Sequence, residues 1–126
     1  MSGPRSNYRA ERVAEMIHKE LAQRLRLEVK DPRVVPISIT HIEVNRDLSK
    51  AQIRFLPLGG GEASEELLAG LVAAAKQLRG PIGRALRLRH APELVFVFDE
   101  QHGQAMAVSA LLGKLAQERE AREGES

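Results

Sequence analysis

Lys76, Arg79, Arg84, Arg87 and Arg89 fall within a stretch, residues 76–89, that contains no acid. A guanidinium fork matches a phosphate bidentately and an ammonium adds a point charge, so this spacing supports grip on a polyanion rather than bond-making chemistry. The plain alternative is a solvated helix face, but such faces usually mix signs and this one does not. Asp99, Glu100 and His102 are close enough in the chain to ligate a metal or exchange a proton. They sit in a short polar turn, and no second cluster has recognisable ligand spacing. His18, His41 and His90 are scattered, no Ser-His-Asp or Cys-His arrangement is readable, and the absence of cysteine excludes disulfides and thiolate metal sites. Neither catalysis, nor a bound metal, nor a cofactor is expected.

Two glycine patterns touch the same question. Gly59-Gly60-Gly61 lacks the Lys-Ser/Thr of a phosphate cradle and runs into Glu62, so it reads as a connector. Gly80-Pro81-Ile82-Gly83 is a G-x-x-G flanked by Arg79 and Arg84, a pattern that lets a backbone approach phosphates closely because glycine has no side chain. Its alternative is a simple helix break. Phe55, Phe96 and Phe98 fall at inferred strand positions that should be buried, leaving Tyr8 as the remaining aromatic ring. Contacts to nucleic acid should therefore rest on phosphates and shape, not on stacked bases.

These groups need elements to position them. Residues 1–6 are expected to be disordered. From Asn7 to about Glu28, Val13, Ile17, Leu21 and Leu25 recur at every fourth position, predicting an amphipathic helix whose other side carries Arg12, Lys19, Gln23 and Arg26. Lys30-Asp31-Pro32-Arg33 ends it. Val35, Ile37 and Ile39 alternate as a strand, whereas Ile42 and Val44 fall on the other parity; a bulge near Thr40-His41 accounts for the switch. Asn45 to Ser49 reads as a turn. Ala51, Ile53 and Phe55 alternate with Gln52 and Arg54 in a second strand that completes a hairpin.

Ser64 is placed to cap a helix opening with Glu65-Glu66, acids suited to its positive end. Leu67, Leu71, Ala75, Leu78 and Ile82 continue its apolar face. Gly80-Pro81 should kink or break it, with a further helix running on to Arg89. Pro92 disfavours helix before it, so that helix should stop near His90. Leu94 to Phe98 is apolar without interruption, which predicts a strand covered on both faces. After a loop, Ala105 to Glu120 is expected as a last helix with Val108, Leu111, Leu112 and Leu115 inward. The expected order, α-β-β-α-α-β with a C-terminal helix, is an α+β fold of KH-like type II, a three-stranded sheet covered by helices.

Length and composition fit one domain: 126 residues, 43% hydrophobic, without repeats or a linker. Its expected limits are 7–116, followed by a charged tail over 117–126. Net charge is +2, but the tail holds 4 acids and 2 bases, so the body carries 19 − 2 = 17 bases against 17 − 4 = 13 acids. The polar N-terminus and the lack of any apolar run near the ~20 residues of a membrane span lead us to expect a soluble, cytoplasmic protein with no membrane partner.

Several ordered motifs make the chain resemble the bacterial ribosome-binding factor A family from about Arg9 to Leu115. They are Arg12-Val13, Lys19-Glu20-Leu21, Lys30-Asp31-Pro32-Arg33, the hairpin Ile39-Thr40…Val44-Asn45-Arg46-Asp47-Leu48…Ala51, and Leu86-Arg87-Leu88-Arg89…Pro92-Glu93-Leu94…Phe96…Asp99. The resemblance implies a non-enzymatic assembly factor that binds the small ribosomal subunit near its decoding-region neck during late maturation of 16S rRNA. It further implies a link to growth in the cold, and release before translation with help from an assembly GTPase. One departure stands out: the Ala-x-Gly kink usual in the family should fall at Ala74-Ala75-Lys76, where this chain has lysine in place of glycine.

The expected RNA contacts are Lys76, Arg79, Arg84, Arg87 and Arg89, with Arg33, Arg46 and Lys50 assigned to the hairpin ends, and Arg12 and Lys19 added if the first helix faces RNA. A monomer is expected. The runner-up is an α/β protein-interaction module without direct RNA binding.

Overall fold

A computed structural model describes the backbone of residues 4–101 and the side chains of residues 8–101. Helix α1 (Pro4–Leu27) leads to strands β1 (Ile37–Val44) and β2 (Lys50–Pro57), then helix α2 (Glu65–Ala85) and strand β3 (Glu93–Phe98). The sheet order is β1-β2-β3, with β1 and β2 antiparallel and β2 and β3 parallel. The crossover that a parallel pair requires is supplied by α2. The expected helix from Ala105 and the charged tail lie outside the described residues.

The apolar stripe of α1 is buried as its period demands, with Ile17 and Leu21 fully enclosed. The helix starts at Pro4, three residues before the Asn7 boundary; proline suits a first turn, where its missing N–H would have no partner anyway. In β1 the pairing shifts between Ile39 and His41, so Thr40 is the extra residue of a bulge. That is the parity switch read from the sequence. Ala51, Ile53 and Phe55 of the central strand point inward and are fully buried beneath the helices. Phe96 and Phe98 meet the Phe55 ring edge-on, both at 6.2 Å between centroids.

Three expectations need correction. The two helices expected around Gly80-Pro81 are one continuous helix, α2, with Pro81 inside it. Gly80 lacks the Cβ that would clash with the proline ring, which removes part of the penalty for helical backbone before proline. Leu78 and Ile82, both buried, contribute ~1.5–3 kcal/mol each, enough together to offset the ~3 kcal/mol of an interior proline. No break appears at Ala74-Ala75-Lys76 either, where Ala74 and Ala75 pack inward. Second, helix ends at Ala85 rather than near His90. Third, β3 is an edge strand whose residues after Leu94 are only partly buried, not a strand enclosed on both faces.

Candidate nucleic-acid interface

One end of the domain gathers four segments. The Glu93 N–H donates to the Ser49 carbonyl at 2.8 Å, and Lys50 lies in register with Glu93, so the loop entering β3 runs beside the hairpin turn. Ala10 and Ala14 of α1 border the same depression as Ile42, Val44 and Arg46, which brings the first turns of α1 to this end as well. The C-terminus of α2 feeds the same loop.

The hairpin turn is tied down by its own side chains. Leu48 N–H bonds the Asn45 carbonyl at 3.0 Å, the Asn45 side chain accepts from Lys50 N–H at 3.0 Å and donates to Ser49 Oγ at 2.8 Å, and Asp47 accepts from the Ser49 hydroxyl at 2.6 Å. Those bonds from Ser49 hold the Asp47 carboxyl below its ordinary pKa. Leu48 takes a left-handed backbone (φ 59°) and turns its side chain onto the core. A rigid turn therefore presents Arg46 and Lys50 to solvent.

The end of α2 is equally fixed. Arg87 N–H bonds the Arg84 carbonyl at 3.1 Å and Leu88 N–H bonds the Gly83 carbonyl at 2.9 Å, the paired bonds of a Schellman termination. Such a motif needs a left-handed residue just past the cap, normally glycine; Arg87 fills it at φ 54°. Leu88 packs back onto the core, and Arg87 and Arg89 are left exposed on either side. These two arginines thus lie on a loop rather than on the helix face the spacing suggested. Lys76, Arg79 and Arg84 do occupy the exposed side of α2, spread over ~12 Å of its length.

Neither glycine of Gly80–Gly83 forms a phosphate loop. Gly83 is buried in α2 because a Cβ there would stand 2.7 Å from Ala91 Cβ, so it serves close packing of helix against loop. Neither that contact nor the left-handed Arg87 can be read from local spacing; the Leu86-Arg87-Leu88-Arg89 pattern is the sequence signal for the termination.

The charge state of this end follows from its pairing. Among the described residues the ion pairs are Arg24 with Glu20 and Glu28, and Arg33 with Asp31. Lys76, Arg84, Arg87, Arg89, Arg46 and Lys50 take part in none of them, while Arg79 donates to the Ala91 carbonyl at 3.1 Å. Glu11, Glu43, Asp47 and Glu93 share this end, so its positive character comes from the acid-free run of α2 and the loop after it.

The structure does not bring Arg33 to this group. Its turn is pressed against the N-terminal half of α2, where a Cβ on Gly70 would meet Val34 Cγ2 at 2.9 Å. The length of β1, ~25 Å, separates it from Arg46. Arg33 is also engaged: it bonds Asp31 at 2.6 Å and, with its backbone N–H, lowers that carboxyl to about 2. Arg12 and Lys19 are exposed on α1, Arg12 toward the basic end. Tyr8 is 62% exposed. Asp99 accepts a 2.5 Å bond from the Thr40 hydroxyl, and His102 lies outside the described residues. Among the described residues, no three His, Asp or Glu side chains converge to hold a metal.

The fold and this end define a KH-like α+β domain with a guanidinium-rich pole. The family model described as ribosome-binding factor A matches residues 9–112. The ribosome-binding factor A of Desulfitobacterium hafniense (strain DSM 10664 / DCB-2) is 38% identical over 121 residues, covering 96% of this chain and 97% of that protein. The crystal structure of ribosome-binding factor A from Thermus thermophilus has the same fold at TM-score 0.53 and 21% identity, over 73% of this chain and 93% of that one. A homology model of the Thermus thermophilus factor, fitted into a cryo-EM map of a 30S–RbfA complex, gives TM-score 0.56 at 21% identity over 68% of this chain and 89% of that one. The chain belongs to the ribosome-binding factor A family, a family of binding factors and not of enzymes.

Proposed function

We propose that this protein binds the small ribosomal subunit through phosphates of its 16S rRNA and assists late maturation of that RNA. The observation that carries this is the set of exposed guanidinium groups at one pole, Arg84, Arg87, Arg89 and Arg46, held by rigid turns and without ion-pair partners among the described residues. Family membership and the 30S complex of the Thermus factor support the choice of target. Lys76 and Arg79 extend the contact along α2, and Lys50 and Arg12 flank it. Arg33 contributes only where RNA displaces Asp31. The protein acts as a monomer in the cytoplasm, without chemistry of its own, supports growth in the cold, and is released with help from an assembly GTPase.

The test is the double charge reversal Arg84→Glu with Arg87→Glu. Co-sedimentation with small subunits should be lost while thermal unfolding stays almost unchanged, because both side chains are exposed and have no ion-pair partner among the described residues. Equal binding by the variant rejects the pole as the interface. The protein-interaction reading keeps one observation of its own, an apolar groove of about 480 Å³ between α1 and the start of β1, lined by Leu25, Val29, Val35, Ile37 and Leu58. Binding that ignores salt and survives nuclease would favour it.

A further inference from the structure

Among the described residues β1 is one edge of the sheet, and its two halves differ. An open strand edge templates pairing with another chain, so edges are normally guarded by a charge, a bulge or a cover. The second half of β1 has the bulge at Thr40 and the charge of Glu43. The first half, Ile37-Ser38-Ile39, has neither. Its backbone groups are open as well. Leu58 N–H donates to the Pro36 carbonyl at 3.1 Å, so Pro36 faces β2 and, by alternation, the backbone groups of Ile37 and Ile39 point away from the sheet. Ile37 and Ile39 also line the apolar groove against α1, with Leu25, Val29, Val35 and Leu58. Val35 is 47% and Leu58 66% exposed, so this apolar surface stands open to solvent. The ionisable lining is Arg26 and His18, with no acid, and neither side chain joins the ion pairs among the described residues.

We propose that this groove docks an extended segment of a protein partner, added to the free edge of β1 as a further strand. Backbone groups of the segment pair with those of Ile37 and Ile39, and every second side chain, apolar, drops into the groove against α1. Charge complementarity sets the rest of its chemistry: an acidic residue of the segment meets Arg26. A strand fits better than a helix, because a helix satisfies its own backbone and would cover the Ile37 and Ile39 amides without pairing them. The volume, about 480 Å³, lies within the ~300–1,000 Å³ of pockets that enclose small ligands, which suits a few side chains. Ile37 opens β1 and Arg46 follows its other end, so the groove stays free while the basic pole is occupied. This inference is independent of the RNA-binding reading.

A phage-displayed library of random linear peptides, selected on the full chain, supplies the probe. Selected peptides should alternate apolar residues and carry an acid. In the tightest of them, made synthetically, N-methylation of every second amide removes donors and keeps the side chains. It should weaken binding about tenfold in one phase of the alternation and little in the other. Binding should slow hydrogen exchange at the Ile37 and Ile39 amides. Leu58→Asp, at an exposed position, should weaken the peptide comparably and leave co-sedimentation with small subunits intact, whereas Arg84→Glu with Arg87→Glu should do the reverse. Failure to select any binder, equal effects of N-methylation in the two phases, unchanged exchange at Ile37 and Ile39, or binding indifferent to Leu58→Asp each overturn the proposal. So does concentration-dependent dimerisation that Leu58→Asp abolishes, which assigns the edge to a second copy.

Discussion

Replacing Arg87 by glycine should make the protein more stable and a weaker binder. Arg87 holds the left-handed position that ends α2, φ 54°, where its Cβ is crowded against its own backbone. An L-residue there carries ~1–2 kcal/mol of strain, and glycine removes it at the expense of ~0.5–1 kcal/mol of extra freedom in the unfolded chain. The net gain is ~0.5–1 kcal/mol, a rise of ~2–8 °C in melting temperature for a domain of this size. The Arg87 side chain makes no hydrogen bond or ion pair inside the described fold, so nothing in the structure offsets the gain. Removing one phosphate contact should flatten the dependence of log K on log salt by ~0.7–0.9. Two comparators separate the effects. Arg87→Lys keeps strain and charge and should resemble the parent in both assays, while Arg87→Ala should lose binding without gaining stability. Thermal unfolding and small-subunit binding across a salt series read both quantities. A glycine variant that melts no higher than the parent, or that binds with the parent's salt slope, refutes the reasoning.

Two further outcomes follow from the same geometry. Gly83→Ala gains ~1 kcal/mol of helix propensity but drives a Cβ to 2.7 Å from Ala91, an overpacking penalty of ~1–3 kcal/mol, so thermal unfolding should show net destabilisation. Asp31 should titrate at about 2 by NMR and return toward 3.8 in Arg33→Ala. Because folding lowers this pKa, the pair stabilises the native state above the ordinary carboxylate range. That contribution disappears as pH falls through about 2, and it should be absent at every pH in Arg33→Ala.

What the sequence revealed was mostly local. The stripe of α1, the Ser64 cap that accepts from Leu67 N–H at 3.0 Å, the parity switch at Thr40 and the Asn45–Ser49 turn all depend on neighbours a few residues away. The misjudgements were tertiary. Gly80-Pro81 resembles a breaker, yet the burial of Leu78 and Ile82 carries α2 through it. Arg87 appears to continue a helix, but Leu88 turning into the core stops the helix first and leaves Arg87 in a left-handed bend. Arg33 and Arg46 bracket the same strand, β1, and lie close in the sequence. In three dimensions that strand's own length puts them at opposite ends, which residue types alone do not encode. The convergence of the hairpin turn with the loop before β3 follows from the parallel pairing of β2 and β3, a long-range choice.

The claim that rRNA lies against one particular pole is tested most directly by tethering an iron chelate to one engineered thiol at a time. A chelate at His90→Cys, beside Arg89, should cut 16S rRNA in the bound small subunit at a discrete site. A chelate at Glu62→Cys, before the N-terminus of α2 at the far end, should cut weakly or elsewhere. Strong cleavage from position 62 with none from position 90 would contradict the account.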